Sequence, residues 1–500
     1  MSPVASALLT SGRASPRGET REVAFAEFER LTLDGVSRGQ RLIAYFGTPE
    51  AGGVSLLAIL ADDGYSELRA ARTRVEGPGF TSITPRCPQA HLFEREIAEQ
   101  FALKADGHPW MKPVRFSRPL TGAAAEPRQI GDADFYRVEG EEVHEVAVGP
   151  VHAGVIEPGH FRFQCHGEEV FHLEISLGYQ HRGVERALIG GPTKRTIHYV
   201  ETAAGDTTVG HATAYCEAIE SLAGARVPPR AQALRGIALE LERLANHTGD
   251  LGALANDVGY LPTASYCGRL RGDYLNLTGL LCGNRFGRDL VRPGGVGFDA
   301  DTARIEKMLQ RLDAAQKDTA NAVNLLWESS SVTARFEGTG PVPRDVAREL
   351  GLVGLSARAS GLGRDVRHDH PFGIFRFTHL PVATWHSGDV FARAYVRWLE
   401  IESSILFVRE QLKALPAGPI SSKVGPLAPD RMAVSLVEGW RGEICHVALT
   451  DANGAFARYK IVDPSFHNWP GLAYALRSQQ ISDFPLCNKS FNLSYCGHDL

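Results

Sequence analysis

A histidine, an arginine and a glutamate follow one another closely in the segment Gly178–Arg186, which reads GYQHRGVER. The ring of His181 is of the type that gains or loses a proton near neutral pH. Glu185 is a candidate relay carboxylate if the fold buries it. A helix start with an exposed ion pair would have the same local sequence, so both interpretations stay open at this point.

Two further histidines flank a loop rich in glycine and proline within Gly149–Phe163, GPVHAGVIEPGHFRF. Such a loop, placed before a strand, can hold the imidazoles of His152 and His160 in a cavity. The alternative is a plain hairpin that carries one or two histidines on the surface. The two histidines are therefore candidates for acid–base chemistry or for ligand binding.

The densest group of charges lies in Leu355–Phe372, LSARASGLGRDVRHDHPF. Charges between glycines can form a solvated loop, an interdomain network or an anion site, and Asp365 is the candidate proton-handling group here. His368 and His370 bracket Asp369, but no third ligand stands nearby, so we expect no metal.

Cysteine spacing and the standard motifs narrow the cofactor chemistry. None of the eight cysteines forms a C-x-x-C pair, so an iron–sulfur cluster or structural zinc held by this chain alone is not expected. Scattered single cysteines in a cytosolic chain are mostly reduced core residues. The phosphate-binding loop, the dinucleotide-binding glycine motif and the nucleophile elbow are all missing.

Composition describes an ordinary globular protein. Five hundred residues, 43% of them hydrophobic and 22% charged, predict two or three domains. The net charge of −5, without a long basic run, argues against nucleic acid as a partner. No apolar run approaches the ~18 residues of a membrane span, and the first residues lack the apolar core of a secretory signal. We therefore expect a cytoplasmic protein.

The pattern of elements predicts the α+β class. Residues 1–20 are expected to be a flexible tail, 21–116 a small α+β domain, 117–146 a linker and 147–500 a mainly helical domain with small β pieces at both ends. Alternating or apolar runs predict strands, and apolar residues at helical spacing predict helices. The expected strands are Arg41–Phe46, Val54–Ala61, two within His160–Gly178 and more within Gly442–Asp463; the expected helices are Pro88–Phe101, Arg230–His247, Ser265–Cys282, Asp301–Trp327 and Asp389–Leu415.

Taken in order, short runs along nearly the whole chain resemble a known pair of families. The runs FERE (Phe93–Glu96) and GHP (Gly107–Pro109) resemble the small hydrophilic subunit of respiratory complex I. The rest resembles the quinone-pocket subunit of complex I and the large subunit of membrane-bound nickel–iron hydrogenases, with a leaning toward the formate-hydrogenlyase type. The matching runs are GPVH, EPGHFRF, GYQHRGVE, VPPRA, LERLANH, RPGGV, ARASG with the following DVR, GDVF and DPSFHNW.

The departures from the hydrogenase pattern concern the metal ligands. Aligned with those relatives, Ala204 and Thr207 stand where the first pair of thiolates would be. The second pair falls in Asn492–Gly497, which offers Cys496 as its one thiol. A nickel–iron centre needs four thiolates, two of them bridging. The resemblance therefore implies a chain that binds no metal of its own.

The departures from the complex I pattern concern quinone. That family holds the quinone headgroup with a tyrosine and a histidine, and an aspartate bonds the histidine. The tyrosine position falls at or near Gly205 and the histidine position near Pro158, whereas the aspartate position falls on Asp257. The hypothesis is that His152 or His160 takes over quinone or proton handling together with Asp257.

The resemblance implies a peripheral-arm subunit of a complex I-like or hydrogenase-related complex. Electrons would arrive from iron–sulfur clusters in a small partner subunit, and other hydrophilic and membrane subunits would complete the assembly. Reduction of quinone or another acceptor would be coupled to ion translocation through buried ionisable groups, the candidates being His181, Glu185, Asp257 and Asp365. NADH oxidation belongs to a flavin subunit in that family. The chain is expected on the cytoplasmic face of the cell membrane, held there by its partners.

A non-catalytic scaffold is the alternative, because both cysteine pairs and the tyrosine are lost. Such a subunit would keep the interfaces and bind no acceptor. The retained Asp257, Glu185 and the histidine-bearing loop argue against it, although they can equally be structural ion pairs. A hydrogenase proper is excluded by Ala204 and Thr207.

Overall fold

The computed structural model describes residues 6–120, 134–152 and 156–500. Its first part is a five-stranded sheet with two helices. The strands run in the order β1-β6-β5-β4, and β3 pairs in parallel with β6. The elements are β1 (Ala7–Leu9), β2 (Ser15–Pro16), β3 (Glu22–Val23), α1 (Phe25–Ser37), β4 (Arg41–Glu50), β5 (Gly53–Asp62), β6 (Glu67–Val75), β7 (Gly79–Thr81), α2 (His91–Phe101) and β8 (Lys104–Asp106).

A three-stranded antiparallel meander follows, and then a helical region. The meander consists of β9 (Val143–Val148), β10 (His160–His166) and β11 (Glu169–Ser176). The helical region contains α3 (Val184–Leu188), α4 (Thr196–Glu201), α5 (Thr208–Ala223), α6 (Pro229–Asp257), α7 (Leu261–Cys282), the short pair β12 (Val291–Arg292) and β13 (Gly295–Val296), α8 (Thr302–Glu328), α9 (Ser330–Phe336), α10 (Arg344–Glu349), α11 (Gly354–Ala359), α12 (Val366–Asp369) and α13 (Val390–Lys413).

A second antiparallel sheet and three helices close the chain. The sheet order is β16-β15-β14-β2, with β14 (Arg431–Glu438), β15 (Glu443–Thr450) and β16 (Phe456–Val462). They are followed by α14 (Pro464–Ala475), α15 (Phe484–Phe491) and α16 (Tyr495–His498). Every residue of β15 is buried, and β14 and β16 are nearly as enclosed. These three strands therefore form an interior wall of the second part of the chain.

Local sequence explains where the long helices begin and end. Asp301 and Asp389 cap α8 and α13 by accepting hydrogen bonds from the N–H groups of Arg304 and Ala392. Gly224 and Gly283 end α5 and α7 with positive φ angles of 63° and 77°, a conformation that glycine adopts at little cost. Along α6 the apolar face predicted from the 3.6-residue period is buried over its whole length.

The mixed α+β class is confirmed, and the predicted long helices and strands are present with small shifts of their ends, except that α6 continues past His247 to Asp257. The prediction of a flexible tail is corrected for the described residues 6–20, because Ala7–Leu9 pairs with β6 and Ser15–Pro16 pairs with β14. Strands of two or three residues are too short to show a period in the sequence. The expected linker at 117–146 lies partly outside the described residues, and its last residues belong to β9. The domain boundaries themselves stay a prediction.

Candidate functional site

Three segments distant in sequence meet at Arg441, in the turn between β14 and β15. Its guanidinium donates to both carboxylate oxygens of Asp206, at 2.6 and 2.8 Å, and to the backbone carbonyl of Asn492 at 2.5 Å. The same guanidinium lies 3.8 Å from the ring centroid of Trp440. Burial opposes charge on Asp206, but the Arg441 cation outweighs it and lowers the pKa of Asp206. A fixed ion pair thus joins the segment before α5 to the C-terminal segment.

The two segments that align with the thiolate-bearing segments of hydrogenases lie side by side here. Ala204 and Thr207 are buried, and the hydroxyl of Thr207 lies 3.3 Å from Arg441 Nη1. Across from them, the thiol of Cys496 contacts the backbone of Gly205 and lies 3.4 Å from Ser494 Oγ. A methyl group and a hydroxyl group cannot replace bridging thiolates. The residues present at this place do not fit a nickel–iron centre.

The single thiol at this place is a buried and weakly acidic group. Burial and the neighbouring Glu157 carboxylate raise the pKa of Cys496 to about 11. The other seven cysteines are free and buried, as expected for reduced core residues.

Behind this place, four buried side chains form a hydrogen-bonded row. Asp463 Oδ2 lies 3.0 Å from His211 Nε2, and His211 Nδ1 lies 3.1 Å from His446 Nε2. His446 Nδ1 in turn lies 2.9 Å from the hydroxyl of Tyr459. Sequence reasoning did not select these residues. Two signals in the sequence could have pointed to the row: His211 follows the altered thiolate segment, and Asp463 opens the run DPSFHNW.

Glu185 is buried within an ion network that joins the first sheet region to β16. Its carboxylate accepts from Arg458 at 3.0 Å, from Lys460 at 2.9 Å and from the N–H of Ile461 at 3.0 Å. Burial raises the pKa of Glu185, but the charges of Lys460 and Arg458 outweigh it and lower the pKa below its ordinary value. An acid held ionised in this way does not exchange protons near neutral pH. Glu185 is therefore buried, as the relay interpretation required, but it is held in buried ion pairs, and the exposed ion pair of the alternative is not formed.

The same network continues to helix α2 through Glu96. Lys460 Nζ donates to Glu96 at 2.7 Å, and Arg115 forms a close ion pair with the same carboxylate. Burial again opposes ionisation, and Lys460 and Arg115 overcome it and lower the pKa of Glu96 to about 2. Three cations therefore surround two carboxylates between the first region and the rest of the chain.

His181 is held against the C-terminal Asp499. Its Nδ1 lies 3.0 Å from the carbonyl oxygen of Asp499, while Gly178 and Gln180 donate their N–H groups to the Asp499 carboxylate. Burial and the nearby Arg115 lower the pKa of His181, which is therefore neutral near pH 7. Its structural role is to fix the turn 178–181 on the last residues.

The histidines of the second candidate loop each keep one ring nitrogen without a partner. His160 Nδ1 bonds to the carbonyl of Gly149 at 3.0 Å. Within the part of the chain that the structure describes, the Nε2 atoms of His152 and His160 are buried and lack a hydrogen bond. Residues 153–155, in the same loop, lie outside the described ranges. The loop contacts the C-terminal segment, since Glu157 accepts from the N–H of Tyr495 at 3.4 Å.

Asp257 and Asp365 lie in unlike surroundings. Asp257 is exposed in the last turn of α6, and no hydrogen bond between described atoms joins it to His152 or His160. Asp365 is buried, caps α12 and pairs with Arg367 at 2.6 Å. Burial opposes its charge, but Arg367 and Arg358 prevail and lower the pKa of Asp365 to about 2. The structure therefore does not bring the six predicted site residues together at one point.

Histidines next to Asp365 pair with acids and are not arranged around a metal. His368 bonds to Asp369 at 2.8 Å, and His370 lies 3.2 Å from Asp63. Elsewhere His198, Glu201 and Asp289 approach one another, with His198 Nδ1 at 3.4 and 3.9 Å from the two carboxylates. Arg292 already binds the same oxygen of Asp289, so ion pairing accounts for this group.

Among the described helices, none combines the length and the apolar character that a membrane span requires.

Comparison with known proteins gives two family models and several relatives. The model of the 30 Kd subunit of respiratory-chain NADH dehydrogenase matches residues 47–122, and that of its 49 Kd subunit matches residues 257–431. Formate hydrogenlyase subunit 5 of Escherichia coli is 29% identical over 438 residues, 84% of this chain and 76% of that protein.

Two other relatives are covered almost completely by this chain. Carbon monoxide-induced hydrogenase of Rhodospirillum rubrum is 31% identical over 350 residues, 70% of this chain and 97% of that protein. NADH-quinone oxidoreductase subunit 4 of Thermus thermophilus is 30% identical over 369 residues, 68% of this chain and 90% of that protein.

Proposed function

We propose, because the chain belongs to the family of the 49 Kd subunit of respiratory-chain NADH dehydrogenase and its hydrogenase relatives, that it acts as an acceptor-reducing coupling subunit without a nickel–iron centre. It joins a region of the 30 Kd type to one of the 49 Kd type in a single chain. Electrons reach it from iron–sulfur clusters in a partner subunit, and quinone is the acceptor class that the relatives' names favour.

One observation carries this proposal. The walls of the site are tied together by Arg441, Asp206 and Asn492, while the thiolate positions hold Ala204 and Thr207. The buried Arg441 guanidinium donates to Asp206, Thr207 and Asn492, so it holds polar groups in fixed positions around the altered thiolate positions. Retained polar walls around lost metal ligands favour a site that still binds a small acceptor.

The proposed place of the chain is the cytoplasmic face of the cell membrane, through hydrophilic and membrane partner subunits. Reduction of the acceptor consumes protons, and buried ionisable groups near the site supply the coupling to ion movement. NADH oxidation stays with another subunit.

The test uses the affinity-purified native membrane complex. Nickel content is measured together with inhibitor-sensitive quinone reduction, in the wild type and in Asp206→Asn, which removes the carboxylate that pairs with Arg441 beside the candidate site. We expect no stoichiometric nickel, quinone reduction in the wild type and a loss of turnover in the variant. Asp313→Asn, at an exposed acid on α8, is the matched control and is expected to leave turnover unchanged.

A scaffold role is the second candidate, and one observation favours it. Asp257 is exposed and has no bond to the histidine loop, while Glu185 and Asp365 are held in ion pairs. A complex without nickel that shows no quinone dependence at all would refute quinone as the acceptor and favour the scaffold or a different acceptor. Stoichiometric nickel would refute both.

A further inference from the structure

The row formed by Tyr459, His446, His211 and Asp463 is a continuous chain of hydrogen bonds. All four side chains are at most 1% exposed, so no water competes for these bonds. Burial raises the pKa of Asp463, but the bond from His211 and the charge of Arg441 outweigh it and keep the carboxylate ionised. An ionised carboxylate only accepts, so His211 Nε2 carries a hydrogen and donates.

The direction propagates from there through both rings. In the tautomer with its hydrogen on Nε2, the acceptor of the His211 ring is Nδ1, which lies 3.1 Å from His446 Nε2 and can take the hydrogen of that atom. Burial, with a smaller effect of His211, lowers the pKa of His446 well below its ordinary value, so that ring is neutral. His446 Nδ1 then accepts the hydroxyl hydrogen of Tyr459. In this tautomer every donor in the row points toward Asp463.

The two ends of the row lie in different environments. At the outer end, the Tyr459 ring packs against Tyr215 with centroids 6.2 Å apart. Tyr215 lines an open groove of about 800 Å³, together with Lys194, His198 and Arg292. One aromatic layer therefore separates the row from solvent.

At the inner end, the Asp463 carboxylate touches the segment that faces Ala204 and Thr207. A Cβ atom added to Gly497 would stand 2.6 Å from Asp463 Cγ, so glycine is needed for this close approach. Asp463 also accepts from the N–H of Ser465 at 2.8 Å, and the charges of Asp206 and Arg441 act on it. The row thus runs from beneath a surface groove to the wall of the candidate site.

We propose that Tyr459, His446, His211 and Asp463 form a proton-conducting row that supplies the candidate site from the groove lined by Tyr215. This inference rests on the proposed function, because an acceptor reduced at the site takes up protons. Quinone becomes quinol by gaining two electrons, from the iron–sulfur clusters of the partner subunit, and two protons.

Protons balance at each transfer along the row. Because Asp463 starts ionised, a transfer begins when it takes the hydrogen of His211 Nε2 while His211 Nδ1 takes the hydrogen from His446 Nε2. The protonated Asp463 then gives its proton to the reduced acceptor and is a carboxylate again. His446 Nδ1 takes the hydroxyl hydrogen of Tyr459, and a water in the groove reprotonates Tyr459 as Tyr215 moves aside. One proton enters, one leaves, and rotation or reverse tautomerisation resets the row.

The remaining groups that face the row do not interrupt it. Cys216 and Tyr215 on α5 and Cys445 on β15 are the titratable groups around Tyr459, and burial holds all three protonated by raising the pKa of each. Asp206 and Arg441 face only the inner end, where they form their own ion pair. These three groups therefore place no charge beside Tyr459, and the inner end of the row is the Asp463 carboxylate.

The test separates conduction from packing by using glutamine. In His446→Gln, the amide still donates to His211 and accepts from Tyr459, but an amide does not exchange protons as an imidazole does. In the purified complex we expect quinone reduction to fall by about 10-fold or more, with a larger solvent isotope effect. His467→Gln, at a buried histidine outside the row, is the control and is expected to keep the wild-type rate and isotope effect.

A second measurement does not depend on turnover. In the histidine-labelled full chain, nitrogen NMR reports the tautomers of His211 and His446 and the exchange of their N–H hydrogens with water. We expect Nε2–H tautomers on both rings, exchange faster than that of the amides in β15, and slower exchange in Tyr459→Phe. Exchange as slow as that of the β15 amides, or an unchanged rate in Tyr459→Phe, overturns the conducting row.

The two measurements keep the two proposals distinguishable. Quinone reduction in the wild type with no change in His446→Gln would overturn the row and leave the acceptor site standing. A wild-type complex that reduces no quinone would overturn the acceptor site, and the exchange measurement would still decide whether the row conducts.

Discussion

Strand β16 carries two buried polar clusters on its opposite faces, and they are built on opposite principles. Arg458 and Lys460 point to one face and join Glu96 and Glu185 in an ion network. Tyr459 points to the other face and starts the row toward Asp463. Successive side chains of a strand alternate between faces, so three consecutive residues serve both clusters.

The difference between the faces lies in how charge is balanced. In the ion network each carboxylate meets at least two cations, which lowers the pKa values of both acids and fixes their protonation. In the row, two imidazole rings separate a hydroxyl from a single carboxylate. Carboxylates that are saturated with cations stabilise geometry, whereas a hydrogen-bonded row with one carboxylate can pass a proton without creating an unpaired buried ion.

The largest effect is expected from breaking the ion network. Lys460→Met leaves Glu96 and Glu185 with one cation each, deep in the protein. Removing one partner of a buried ion cluster costs about 3–5 kcal/mol in the free energy of unfolding. Urea denaturation measures it, and Lys104→Met, at an exposed lysine on β8, is the control. A loss below about 1 kcal/mol would mean that the network is not a structural clamp.

The second-largest effect is expected from acid, which should weaken the ion network on the same face of β16. The pKa of Glu96 is about 2 in the folded chain against an ordinary value of 4.5. A lowered folded pKa gives stability that is complete above the unfolded pKa and is lost as pH falls through the folded one. We expect about 3 kcal/mol to disappear between about pH 5 and pH 2. In Glu96→Gln this part of the pH dependence should vanish, and its persistence would assign it to other acids.

Substitutions in the row on the opposite face should cost less stability. Their cost should depend on whether the new side chain keeps the hydrogen bonds of the old one. His446→Phe leaves the Tyr459 hydroxyl and His211 Nδ1 buried without their partner, at a cost of about 2–3 kcal/mol in unfolding free energy. His446→Gln preserves a donor and an acceptor and should cost less than half as much. Thermal and urea unfolding of both variants provide the comparison. Equal losses would indicate that packing of the ring, not its hydrogen bonds, stabilises this face.

The sequence predicted the strands and helices that carry both faces, but not the side-chain clusters that lie on these faces. The strands of Gly442–Asp463 and the helix starting near Arg230 follow from local period, which depends on neighbouring residues. The bond between His211 and His446 joins residues 235 positions apart, and no local pattern specifies such a pair. Asp257 shows the converse, since its position was aligned from relatives, yet the last turn of α6 leaves it exposed.

The smallest expected effect sharpens the comparison most, because it removes one oxygen atom. Tyr459→Phe takes the donor from His446 Nδ1 and should cost about 1 kcal/mol in unfolding free energy. Tyr45→Phe is the matched control, since the Tyr45 hydroxyl is equally buried and has no partner among the described atoms. Removing an unpaired buried hydroxyl should leave stability unchanged or raise it. Opposite signs for two chemically identical substitutions would show that the row is a bonded path, because burial of a tyrosine alone predicts the same sign for both.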